Sequence, residues 1–136
     1  MKKKAVFIYH LFITFSSIIF GVWSFIEASV LSNGEYEGWD GLGAGIGAAV
    51  LIIFGALLSV FAIISIIPTV VSLMAIKSDK KRHVITSIVF ESLFLILFIA
   101  ITISLITETV ALIFVPFVLL DTGAIILNTL ILRDDI

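Results

Sequence analysis

Charged residues are almost absent from four long stretches of this chain. Ala5 to Ile26 holds no Asp, Glu, Lys or Arg, and its apolar character runs on to Leu31. Gly41 to Ile76 is uncharged throughout, Val84 to Ile106 carries only Glu91, and Val110 to Leu132 carries only Asp121. About 20 apolar residues suffice for a helix to cross ~30 Å of hydrocarbon. The pattern therefore predicts four transmembrane helices, at about 5–31, 42–76, 84–106 and 110–132, in a single all-α membrane domain covering 1–136. The connectors are Ser32–Asp40, Lys77–His83 and Thr107–Thr109. None exceeds nine residues, which predicts antiparallel neighbours.

The first two runs are longer than a bilayer requires. At 1.5 Å per residue they would extend ~40 and ~54 Å as full helices. Tilting, a projection on the outer side, or a break at Pro68 would each absorb the excess; Pro68 removes one i→i−4 bond and so offers a kink. Asp40 is expected to N-cap the second helix.

Within the helices, small and polar residues mark the contact faces, because lipid solvates Leu as well as a protein interior does. The first helix carries a stripe of His10, Thr14, Ser17, Gly21, Ser24 and Ala28, with alternating spacings of four and three. That is a heptad seam, which favours left-handed crossing. The second carries Ala44, Ala48, Gly55, Ser59, Ala62, Ser65 and Thr69, with a G-x-x-x-G of Gly43 and Gly47 on an adjacent face. Ser87, Glu91, Phe94, Phe98 and Thr102 share a face of the third helix, and Phe114, Phe117, Asp121, Ala124 and Asn128 a face of the fourth. The packing residues expected are Thr14, Ser17, Gly21, Ser24, Gly43, Gly47, Gly55 and Ser59, in contacts within the chain or with a second copy.

Charge adds a direction. All eight basic residues lie in the N-terminal tail (Lys2, Lys3, Lys4), the central connector (Lys77, Lys80, Lys81, Arg82) or the C-terminal tail (Arg133). The other two connectors hold Glu35, Glu37, Asp40 and Glu108. Cytoplasmic loops carry the excess of Lys and Arg, so both termini and the central connector are expected in the cytoplasm. Trp39 and Tyr36 fit an aromatic belt at the outer surface, with Trp23 deeper and Glu27 near the outer interface. The basic cluster ending in His83 reads as a topology anchor on anionic lipid, not as a nucleic-acid site. The first run is too long for a signal-peptide h-region of about 7–15 residues, and is expected to remain as a span.

Composition excludes the main alternatives. The apolar set makes up 61 % of the 136 residues and charged residues 13 %, against about 25 % charged in soluble domains. A soluble domain would leave too much apolar surface in water. With no Cys, disulfides and thiolate metal sites are absent. The chain also has no Gln and uses Lys over Arg, a mix common in AT-rich bacterial genomes.

Candidate chemistry lies inside the spans. An ionised group at mid-membrane costs about 2.5–3.5 kcal/mol even on the lenient insertion scale, so His10, Glu91 and Asp121 each need an account. Asp121 falls at the middle of its span, Glu91 and His10 about 6 and 8 Å to the cytoplasmic side, and Asn128 at similar depth on the Asp121 face. His10, Glu91, Asp121 and Asn128 could meet in one polar cluster. It would serve as interhelical glue, as a partner contact, or as a proton-titratable or cation-binding site. No nucleotide loop, H-E-x-x-H or G-x-S-x-G motif occurs. An enzyme is not expected, nor are catalytic residues, a metal or a cofactor.

The stretch GLGAGIGAAV (41–50) is similar to the glycine helix of rotary ATPase proteolipids, which carry a carboxyl in the following helix, as Glu91 stands here after KSDKKRH. The likeness covers ten residues and fades by Ile52, and the Arg-Gln-Pro loop of that family is missing. Small multidrug exporters also have four helices, but with a Glu midway in the first, where this chain has none. In size and topology the chain resembles small four-helix accessory, immunity and regulatory membrane proteins of Gram-positive bacteria. The expected function is action by helix contact on a larger membrane machine, with the lipid bilayer and a membrane-protein partner or second copy as partners. The alternative is a small oligomeric proton-coupled transporter or channel using Glu91 and Asp121.

Overall fold

A computed structural model describes residues 1–35, 37–104 and 111–134. Among these residues the chain is all-helical, with α1 (Lys2–Ser32), α2 (Gly38–Lys77), α3 (Lys81–Ser104) and α4 (Ala111–Asp134). All four helices are long and apolar enough to cross a membrane. Tyr36, the connector 107–109 with Glu108, and the expected helix ends at 106 and 110 lie outside the described residues.

The helices run further into their polar flanks than the uncharged runs do. α1 starts at Lys2, α2 at Gly38 and α3 at Lys81, and α4 continues to Asp134. Charge marks where the apolar part stops, whereas a helical backbone continues as long as water can satisfy its terminal N–H and C=O groups. Asp40 is accordingly not the N-cap of α2. It lies in the first turn, where its negative charge still meets the positive end of the helix dipole. The chain enters α2 through Gly38 at φ +58°, and an added Cβ there would meet nothing within 4 Å. α2 is one helix of 40 residues that runs on through Pro68, about 60 Å at 1.5 Å per residue. Just beyond the proline, the Ser72 hydroxyl donates to the Pro68 carbonyl at 2.7 Å.

The chain forms two compact units. Residues 1–11 and 67–136 make the first. It combines the opening turns of α1, the closing turns of α2, and α3 with α4. Val6, Ala75, Val84 and Ile131 form its apolar core, with Ile88, Leu127 and Leu132 packed against them. The buried residues of α3 are His83, Val84, Ser87, Glu91, Phe94 and Phe98, spaced to occupy one helix face. Phe98 meets Phe117 of α4 with ring centroids 5.6 Å apart. The charged ends of this unit also meet: Lys2 pairs with Asp134, and Lys3 Nζ lies 3.1 Å from Asp79 Oδ1.

Residues 12–66 make the second unit, a pair of helical segments from α1 and α2. Thr14 Oγ1 and Ser65 Oγ are hydrogen-bonded at 2.9 Å. A Cβ on Gly21 would lie 3.6 Å from Leu58 Cβ and 3.7 Å from the Gly55 carbonyl oxygen, and one on Gly47 would lie 3.5 Å from Leu31 Cδ1. Gly55 lies beneath the Phe25 ring, whose nearest carbons would be 3.1–3.2 Å from an added Cβ. Ser17 and Ser24 are buried and donate to carbonyls of their own helix, those of Ile13 and Phe20.

Among the expected packing residues, Gly43 faces open space within the chain: it is exposed, and a Cβ there would meet nothing within 4 Å. Ser59 is exposed by area, yet its Oγ faces α1, 3.7 Å from where a Cβ on Gly21 would lie, and its hydroxyl donates back to the Gly55 carbonyl at 2.8 Å. The buried positions Ala48, Gly55 and Ala62 follow a strict seven-residue line along α2. Gly43, five residues before Ala48, points about 140° away from that line.

These contacts separate the glycines in a measurable way. Gly55→Leu should destabilise the protein by about 1–3 kcal/mol through overpacking against Phe25. Gly21→Ala should be neutral or slightly stabilising, since its Cβ enters ordinary van der Waals contact and Ala is the better helix former. Titration with a denaturing detergent, followed by circular dichroism, would read both.

Candidate functional site

The first unit encloses a cluster of polar side chains. α1 supplies Tyr9 and His10, which are consecutive and whose rings meet edge to face with centroids 5.0 Å apart. α3 supplies Ser87 and Glu91, one turn apart on the same face. α4 supplies Asp121 and Asn128, two turns apart on one line. His10, Glu91 and Asp121 are 0 % exposed, so no part of them reaches the surface of the protein.

Most of the bonding converges on one atom. Glu91 Oε1 accepts from Asn128 Nδ2 at 2.6 Å and from Ser87 Oγ at 2.9 Å. His10 Nε2 lies 2.9 Å from the same oxygen and 3.0 Å from Ser87 Oγ. Asn128 Nδ2 also reaches Ser87 Oγ at 3.1 Å. Three helices therefore meet at a single carboxyl oxygen. Asp121 belongs to a second contact, in which the Tyr9 hydroxyl donates to its Oδ1. The remaining oxygens, Glu91 Oε2 and Asp121 Oδ2, are buried and have no hydrogen-bond partner among the described residues.

The structure thus brings His10, Glu91 and Asn128 together directly, and places Asp121 beside Tyr9 instead. The two turns between Asp121 and Asn128 amount to about 10 Å along α4, too far for both to bond Glu91. Tyr9 and Ser87 complete the site, although charge alone did not single them out. Both had a local signal: Tyr9 is the only tyrosine inside an uncharged run, and Ser87 stands four residues before Glu91.

The basic residues divide into paired and open ones. Lys2 and Lys3 pair with Asp134 and Asp79, while Lys4, Lys77, Lys80, Lys81 and Arg82 are exposed. His83 stands apart from these exposed residues. It is buried on the α3 face, because the helix starts at Lys81 and turns position 83 inward. Among the described residues no three His, Asp or Glu side chains gather closely enough to hold a metal ion.

Such a cluster can do two things. It can fix the register of three helices through directional bonds. It can also bind and release protons, since an imidazole and two carboxyls are held out of water together. No protein-family model matches the chain, and neither a curated protein nor a solved structure matches it.

Proposed function

We propose that the chain is a non-catalytic, multi-pass protein of a bacterial cell membrane that works by helix contact, as an accessory, immunity or regulatory subunit of a larger membrane assembly. The observation that carries this reading is the uncovered surface of α2. Leu42, Ile46, Val50, Ile53 and Leu57 are all exposed, at spacings that line one helix face. Gly43 and Gly45 are open beside them, and small residues let a second helix approach closely. In sequence, only five residues separate α1 from α2 and three separate α2 from α3, so recognition falls to the helix faces.

The helices run antiparallel in this reading, with both termini in the cytoplasm. The order of contacts between α1 and α2 supports the first point: Thr14 with Ser65, Gly21 with Leu58, Leu31 with Gly47. The pairing of Lys2 with Asp134 and Lys3 with Asp79 supports the second, by gathering the two tails and the central connector at one end.

Purification in mild detergent, with a photo-crosslinking residue at Ile46, tests the proposal. A stoichiometric membrane-protein partner, crosslinked at that position, is the expected result. A pure monomer that moves a solute across liposomes would overturn it.

The open oxygens of Glu91 and Asp121 favour a second reading, a small oligomeric transporter or channel driven by protons. On that reading, Glu91→Gln and Asp121→Asn each abolish a pH-dependent flux in liposomes while helicity is retained. Retention of flux in both variants would refute it.

A further inference from the structure

We infer that His10, Glu91, Tyr9 and Asp121 together form a proton-binding site that holds two exchangeable protons per chain. The inference rests on the cluster invoked by the transport reading, but not on transport.

Charge counting carries the argument. With the imidazole neutral and both carboxyls ionised, the site would hold two negative charges in residues that are 0 % exposed. An isolated charge out of water is so costly that a group takes up a proton or a counter-charge instead. Every Lys and Arg lies in the tails or the central connector, and none bonds to the cluster among the described residues. The facing groups are Tyr9 and His10 from α1, Ser87 and Glu91 from α3, and Asp121 and Asn128 from α4. The part of α2 in this unit, residues 67–77, has no titratable group before the exposed Lys77. His83 lies two turns before Glu91 on α3. Protons are therefore the counter-charge the structure offers.

The hydrogen bonds assign them. One proton makes His10 an imidazolium against Glu91 Oε1, at 2.9 Å. Asn128 and Ser87 donate to the same oxygen, an arrangement suited to a carboxylate. The other proton resides on the Asp121 carboxyl. Its Oδ1 accepts from Tyr9, and no donor among the described residues occupies its Oδ2, which is the oxygen left to carry the hydrogen. Each proton released passes to water and leaves one uncompensated negative charge behind.

Infrared difference spectroscopy on the full chain in liposomes tests this, with proton release on alkaline titration counted by an indicator dye. At neutral pH the wild-type protein should show the C=O stretch of one protonated carboxyl. The band should be lost in Asp121→Asn and kept in Glu91→Gln. The cluster should release two protons in the wild-type chain and one in either variant, a twofold drop. The wild-type spectrum decides by itself if a variant fails to fold: no protonated carboxyl at neutral pH overturns the inference. A band that survives in Asp121→Asn overturns it as well. Two titrating protons without any flux would leave this inference standing and remove the transport reading.

Discussion

Glu91→Ala is expected to cost the fold about 3 kcal/mol, the largest effect of any single truncation in the first unit. Three donors from three helices converge on the Glu91 carboxyl oxygen. At the ~0.6 kcal/mol average measured for interhelical hydrogen bonds in membranes, the two that cross between helices, from His10 and Asn128, account for about 1 kcal/mol. The rest comes from taking the carboxyl away from a fully enclosed His10, which keeps its contact with Ser87, and from the void left by the side chain. Ser87 and Asn128 keep their bond to each other, which keeps the cost below the top of the 3–5 kcal/mol range for a broken buried pair. Glu91→Gln retains an acceptor at the same place and should lose only about 1 kcal/mol. Reversible unfolding in mixed micelles would read both; a loss under about 1 kcal/mol for Glu91→Ala would mean that the convergence contributes no net stability.

Tyr9→Phe is the second large effect, at about 1–3 kcal/mol. The ring and its packing survive, but Asp121 loses its hydrogen-bond donor while remaining fully buried. The cost therefore belongs to the carboxyl left behind. Removing that group too should restore most of the stability, because an apolar pair of similar shape has nothing left unsatisfied. The double variant Tyr9→Phe with Asp121→Leu is thus expected to be more stable than Tyr9→Phe alone. If the double variant is instead the weaker of the two, Asp121 is stabilised by something other than the tyrosine hydroxyl. A double-mutant cycle gives the coupling directly.

The sequence makes the helices legible because the bilayer imposes one coarse demand, a long run without charge. Ala5–Leu31 and Gly41–Ile76 meet it, and a single Glu91 or Asp121 does not spoil it. Helix ends are less legible, since Lys2, Lys81 and Asp134 extend a helix without extending the apolar run. Period alone turned Ser17, Gly21 and Ser24 inward, where all are buried. The same period did not separate Gly47, which meets Leu31, from Gly43, which meets nothing. That difference depends on where the partner helix lies, and no single helix encodes it. His10, Glu91 and Asn128 stood out by the cost of burying them. Tyr9 escaped notice because an uncharged phenol carries no such cost on the hydropathy pattern. Its role comes from sitting next to His10 and thereby facing the other acidic helix.

The entry into α2 is a matter of handedness. At φ +58° Gly38 occupies a region that disfavours L-amino acids by roughly 1–2 kcal/mol and suits their mirror images. With only open space around the missing Cβ, no side-chain clash adds to that bias. Position 38 therefore discriminates between enantiomers and hardly between sizes: a D-alanine installed there by chemical ligation should fit where its natural twin strains the turn.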